Sequence, residues 1–306
     1  MNKIFQKKLQ NFDKEEIKKS INLINDDGEK LLFYAFNNNL YDDLKLDNEK
    51  ISFLIKNTSA GAVGKNKHDA LCHGLKNNSW QNLKLNGENI NLLIENIKAT
   101  KSKSWVAGAI FSALGVLQDK EIAMLTQEQW LDLLKNADLK AIDKNGSTIL
   151  MEFLSIHYLF STEENKENNL INKKNVDFLI NNSDLTAINN DGFTVFNFAI
   201  WQDANKQLLN NNHWKKIIDG LDFNNQKLSK NFVLSIENLE KPILDYLLLK
   251  INNTVGESYL NFMIKSIQNF KLAKEREMIE YINAFKVKSL ITKNVKKSKY
   301  KKRTKI

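Results

Sequence analysis

Proline is almost missing from this chain of 306 residues, which has one proline, eleven glycines and a single cysteine. The lone Cys72 excludes an intramolecular disulfide framework and fits a reducing compartment. So little proline and glycine excludes long linkers of either kind, and the alternation that marks half-buried strands is scarce. No signal peptide is expected: "MNKIFQKKLQNFDKEE" starts with positive charge, but no apolar stretch follows. The longest uncharged run, "SWVAGAIFSALGVLQ" (104–118), is shorter than a membrane span of about 20 residues and reads as a buried helix. The sequence therefore predicts no membrane insertion, a cytoplasmic location and a monomer.

Arginine is nearly absent too. Only Arg276 and Arg303 occur among 45 basic residues, whereas asparagine occurs 43 times. Lysine, asparagine and isoleucine in excess together suggest a genome rich in A and T, so lysine alone carries little functional meaning. Its distribution says more. Residues 286–306, "KVKSLITKNVKKSKYKKRTKI", hold ten positive charges and no negative one, which leaves 35 basic against 36 acidic residues before them. Composition thus divides the chain into a neutral body, 1–285, and a basic tail, 286–306, expected to be disordered.

What the sequence does have is a repeat. "DLKAIDKNGSTIL" (138–150) returns 46 positions later as "DLTAINNDGFTVF" (184–196), with six of thirteen positions identical. Unrelated segments would share about one. Each copy lies between two stretches whose apolar residues recur at steps of three and four, the helical period. Upstream are "QEQWLDLLKNA" (127–137) and "NKKNVDFLINNS" (172–183), and downstream "TILMEFLSIHYLF" (148–160) and "TVFNFAIWQDA" (194–204). The glycines of "DKNG" and "NNDG" suit a tight turn. Thr148 and Thr194 are expected to cap the following helices with their hydroxyls as acceptors.

The cadence recurs more weakly at "NDDGEKLLFYAF" (25–36), "KNKHDALCHGL" (65–75), "SKSWVAGAIF" (102–111) and "LSKNFVLSIENL" (228–239). A small residue stands seven positions after the turn at Ala35, Gly74, Ala109, Ala199 and Ser235, with Phe153 the exception. Small residues at one fixed helical position predict helices that nearly touch. The remaining second helices are expected at 48–57, 87–97, 211–221 and 241–251, the last with Pro242 in its first turn. A period of about 35 to 46 residues implies a solenoid in which each unit covers its neighbour's apolar face. The segments 5–24 and 257–285, helical with mixed charge, are expected to cap the ends.

The stretches "SDLTAINNDGFTVFNFA" (183–199) and "ADLKAIDKNGSTIL" (137–150) resemble the ankyrin repeat, which reads roughly A-D-V-N-A-x-D-x-x-G-x-T-P-L-H-x-A. Asp184, Ala187, Asn189, Gly192, Thr194 and Ala199 match that pattern, as do Asp138, Ala141, Asp143, Gly146 and Thr148. The family's Pro-Leu-His is replaced by Ile149-Leu150-Met151 and by Val195-Phe196-Asn197, and most units exceed its 33 residues. The resemblance covers about a third of the chain. It implies an all-α, ankyrin-like α-solenoid of about six helix-turn-helix repeats with helical caps.

Catalytic patterns are lacking. His68 and Cys72 stand one helical turn apart with His73 beside them, but a zinc site needs three or four ligands, and His157 and His213 belong to later units. Cys72 and His73, adjacent on a helix, point about 100° apart and cannot form a nucleophile–base pair. "GAVGKNK" (61–67) lacks the first half of a phosphate-binding loop, and "STEENKEN" (161–168) reads as a solvated insertion. The expectation is no enzyme, no cofactor and no metal.

Two classes of function remain. The resemblance implies a scaffold that binds a partner protein, unidentified by sequence, in the groove made by turns and first helices. Its groove positions fall on Asn190, Asp191, Phe193, Trp201 and Gln202 in one unit. In its neighbour they fall on Lys144, Asn145, Ser147, Ser155 and Ile156, and in the first unit on Asp26, Asp27, Glu29, Asn37 and Asn38. Phe193 and Trp201 stand out as aromatic anchors; the alternative for both is packing against a neighbouring unit. The second class is nucleic-acid or anionic-surface binding by Lys296, Lys297, Lys299, Lys301, Lys302 and Arg303, for which a solvated tail is the alternative. Tyr300, the tail's one aromatic, provides no stacking platform. Ankyrin-like chains of AT-rich genomes also imply a host-associated bacterium and, with it, export into a host cell as a further alternative.

Overall fold

A computed structural model describes residues 1–39, 44–60, 62, 69–81, 83, 85–120, 125–156, 170, 172–201, 208–223, 236, 239–270 and 275–303. These form fifteen α-helices, and no strand occurs among the described residues. In chain order they are α1 (Asn2–Asn11), α2 (Lys14–Ser20), α3 (Leu31–Asn38), α4 (Asn48–Asn57) and α5 (Ala70–Gln81). Next come α6 (Gly87–Ala99), α7 (Lys103–Lys120), α8 (Gln127–Asn136), α9 (Ile149–Ile156) and α10 (Lys173–Asn182). The last five are α11 (Val195–Trp201), α12 (Asn211–Asp219), α13 (Lys241–Thr254), α14 (Glu257–Phe270) and α15 (Glu275–Arg303). The all-α expectation holds. Most of the sixth predicted first helix, 228–239, lies outside the described residues.

The chain divides into two compact units, one of residues 1–143 and 148–175, the other of 144–147 and 176–306. In the first, α3, α5, α7 and α9 pack each against the next, and α4, α6 and α8 do the same beside them. Successive helices α3 and α4, α5 and α6, and α7 and α8 also pair, so the unit has two helical layers. In the second unit α11 packs on α12, α12 on α13, and α13 on α14 and α15.

Small residues fix the spacing in the first layer. Ala35, Gly74 and Ala109 are buried in α3, α5 and α7. A methyl group on Gly74 would stand 3.0 Å from Leu93 and 3.2 Å from Phe36, so the helix approach leaves room for hydrogen only. Phe153 breaks the pattern and is wholly buried, stacked on Trp130 of α8 at 6.1 Å between centroids.

The second helices start at polar caps: Asp47, Asn86, Thr126, Asn172 and Asn210 each accept an amide of the first turn. Three residues on, at Asn89, Gln129, Asn175 and His213, stands a buried polar side chain. Each reaches the preceding second helix within its own unit. Asn89 accepts from Ser52 Oγ at 2.6 Å and donates to Asn48 Oδ1 at 2.7 Å. Gln129 donates to Asn91 at 2.6 Å, and Asn175 exchanges bonds with Gln127. His213 bonds to Asp177. Hydrogen bonds thus tie the helix starts together where apolar packing ends. Asn89→Ala strands the buried Ser52 hydroxyl and should cost about 1–3 kcal/mol, read from urea unfolding midpoints.

The ends differ from expectation in two ways. The predicted N-terminal helix breaks into α1 and α2 at Phe12, which adopts φ 46° and donates its amide to Lys8 O at 2.8 Å. The charge boundary at Phe285 falls inside α15, which continues through the basic segment to Arg303. Neither glycine nor proline interrupts 275–303, and lysine is a good helix former.

Candidate partner-binding site

The groove predicted from the repeat begins at its turns. Three of them, at 24–30, 142–148 and 188–194, share one geometry. An isolated antiparallel bridge closes each: Ile24 with Lys30, Ile142 with Thr148, Ile188 with Thr194. Gly28, Gly146 and Gly192 take φ of 80°, 75° and 82°, the left-handed region that side chains resist. In the outer two an asparagine locks the loop. Asn25 Oδ1 accepts the amides of Asp27 and Glu29 at 3.0 and 2.7 Å, and Asn189 Oδ1 those of Asp191 and Phe193 at 3.1 and 2.9 Å.

The tips of two turns, 144–147 and 189–192, stack within the second unit. Asn190 donates its amide to Asn145 O at 2.9 Å and its side-chain NH₂ to Lys144 O at 3.1 Å. The predicted residues Lys144, Asn145, Asn190 and Asp191 are therefore brought together and exposed at adjoining tips. Asn190 acts first as the clasp between the turns, a role that the sequence pattern did not assign. Phe193 is half-buried and meets Phe198 edge-on at 6.3 Å between centroids. The Phe193 ring thus packs on α11 of its own repeat.

Other predicted groove residues are placed differently. Ser147 is 2% exposed and Ile156 not at all, so neither offers a partner contact area. Ile156 belongs to α9, which packs against α7. Ser155 is half-buried, with its hydroxyl donating to Glu152 O at 2.7 Å. The side chain of Trp201 and all of Gln202 lie outside the described residues. In the first turn Asp26 and Asp27 are exposed but engaged: Asp26 holds the Met1 ammonium at 2.6 Å and Asp27 accepts from Asn2 at 2.8 Å. That ammonium holds the Asp26 carboxyl below its usual range. Glu29 is buried, whereas Asn37 and Asn38 are half-buried. The side chains of Lys296 to Arg303 lie outside the described residues, although their backbone is helical.

One cap reverses its expected direction. Thr148 accepts the Met151 amide at 3.3 Å as expected, but Thr194 donates its hydroxyl to Asn197 Oδ1 at 2.9 Å, which also takes the Thr194 amide at 2.8 Å. Sequence reading also missed Ile24 and Ile142, which are 57% and 60% exposed at the rims of their turns. Their signal was available: isoleucine stands four residues before all three turn glycines.

The reactive-looking residues are occupied structurally. Cys72 is buried with its thiol 2.8 Å from Asp69 Oδ2; burial first, and the Asp69 charge second, push its pKa well up. His73 Nε2 pairs with Asn37 Oδ1 at 2.8 Å, and its ring meets Phe33 edge-on. His68 and His157 lie outside the described residues. Among the described residues no three His, Cys, Asp or Glu side chains gather as a metal site, and no helix is long and apolar enough to cross a membrane. Compared with known proteins, the chain matches no family model and no curated protein sequence.

Proposed function

We propose that the protein is a non-enzymatic scaffold, an ankyrin-like α-solenoid that holds a partner protein against its turns and first helices. The observation that carries this reading is the stacked pair of turns. Backbone and asparagine bonds fix their conformation, while Lys144, Asn145, Asn190 and Asp191 stand exposed on them. A rigid frame that presents exposed polar groups lowers the ordering cost of binding. The two helical layers of the first unit and the repeated turn supply the solenoid half of the argument. No reacting group is needed for such a role, and Cys72 is spent on packing. A cytoplasmic scaffold fits the reduced Cys72, and export into a host cell is compatible with the same surface.

The test is affinity capture with the full chain in about 0.3 M salt, which screens loose charge attraction. The variant is Lys144→Glu combined with Asp191→Lys, which exchanges the two charges without touching a buried residue. Capture of a defined protein should be lost in the variant, with melting temperature unchanged. A partner held equally by both chains, or none held by either, would overturn the reading.

A further inference from the structure

The last helix outruns its neighbours. Met278 and Ile282 of α15 are buried, Lys286 binds Glu257 at 3.2 Å and Asn261 at 2.7 Å, and Ser289 accepts from Asn252 at 2.8 Å. Those partners are the first turn of α14 and the last turn of α13. Neither helix continues past this level, since α13 ends at Thr254 and α14 begins at Glu257. α15 continues to Arg303, a further run of about 20 Å at 1.5 Å per residue.

That run is basic and has an apolar stripe. No acidic residue follows Glu280. With about 100° per residue, the register positions of Val287, Leu290, Ile291 and Val295 fall within an arc of about 140°. Lys293, Lys296, Lys299 and Arg303 occupy the other side, and Lys288 and Lys297 stand about 20° beyond the two edges of the stripe. Asn294 falls within the arc, and past Val295 the arc is occupied by Ser298, Lys301 and Lys302, so the apolar stripe ends at Val295. Val287 and Leu290, the two members of the stripe whose side chains are described, are 58% and 49% exposed.

We propose that residues 287–297 of α15 form a docking helix for an anionic lipid surface. Such a surface uses both faces: lysines meet acidic headgroups, and the valine, leucine and isoleucine side chains enter the boundary of the acyl region. A phosphate backbone would use the charge but leave the stripe in water. Forked arginine contacts and base-stacking aromatics are also nearly missing here, with one arginine and one tyrosine in the run. The stripe is short, so docking is peripheral, reversible and dependent on acidic lipid.

The full-length chain is sedimented with vesicles of phosphatidylcholine alone and with vesicles containing about 30% phosphatidylserine, in about 0.1 M salt. It should pellet only with the second. Lys293→Gln, Lys296→Gln and Lys297→Gln together should weaken partitioning about a hundredfold. Val287→Ser with Leu290→Ser should weaken it about tenfold, with an unchanged circular dichroism spectrum. Vesicle binding that ignores the serine pair overturns the proposal in favour of a plain polyanion site. So does an affinity for duplex DNA higher than that for the anionic vesicles. Failure to pellet with the anionic vesicles overturns it outright.

Discussion

Trp130→Ala should destabilise the protein by about 3–5 kcal/mol, the range for removing a fully buried large aromatic. Trp130 is wholly inaccessible in α8, and its ring lies at 27° to that of Phe153 in α9. Phe153 stands where α3, α5 and α7 carry alanine or glycine, so the space between helices here is filled by two rings instead of by close backbones. Loss of either ring opens a void that its neighbours close only in part. The indole N–H of Trp130 has no hydrogen-bond partner among the described residues. Trp130→Phe should therefore cost much less, about 1–2 kcal/mol, because it removes volume but no bond. Urea unfolding of both variants decides the matter. If phenylalanine proved as damaging as alanine, the cause would be polar and the packing account would fail.

The same pair of helices shows which parts of the fold were readable from sequence. The second helices start where the sequence places them and end within about three residues: 48–57 against Asn48–Asn57, 127–137 against Gln127–Asn136, and 241–251 against Lys241–Thr254. Two local rules agree there, since a polar cap precedes the first apolar residue of a helical period. The left-handed glycines were readable for a related reason, because few residues accept φ near 80°. The break at Phe12 was not, since a bulky residue with positive φ leaves no mark in the pattern. The helical backbone of 286–303 is not legible from its charge, since it depends on lysine's helix propensity and on the lack of glycine and proline. Asparagine is abundant here as part of the A- and T-rich bias, yet Asn25, Asn89, Asn175, Asn189 and Asn197 are buried, each with specific bonds. Whether an asparagine lies at a turn tip or clasps the next turn depends on which backbone comes to face it, as with Asn190. Ile156 failed as a groove position for the same kind of reason, since family spacing does not foresee what covers α9.

Gly146→Ala and Gly28→Ala should differ by about 1–3 kcal/mol, although the two glycines occupy equivalent positions in equivalent turns. Both have positive φ, 75° and 80°, so each alanine bears a left-handed cost of about 1–2 kcal/mol. Around Gly28 an added methyl group meets nothing within 4 Å. At Gly146 it would stand 3.0 Å from Asn190 Oδ1, 3.1 Å from Asn190 N and 3.2 Å from Asn189 Cα. Two of those three atoms belong to backbone held by the turn's own hydrogen bonds, so the neighbour cannot simply rotate away. Gly146→Ala should accordingly cost about 2–5 kcal/mol in all, by forcing the two tips apart. The excess over Gly28→Ala measures how firmly the turns of the second unit stack, and with it the rigidity on which the proposed partner surface depends. Asn190→Ala supplies the check, because it deletes the side-chain half of the clasp and the Oδ1 contact, while the Asn190 amide bond and the two backbone contacts stay. In that background the Gly146→Ala excess should shrink by about a third, one contact of the three being relieved. An excess that stayed the same would leave the Asn190 side chain without energetic weight in the stacking.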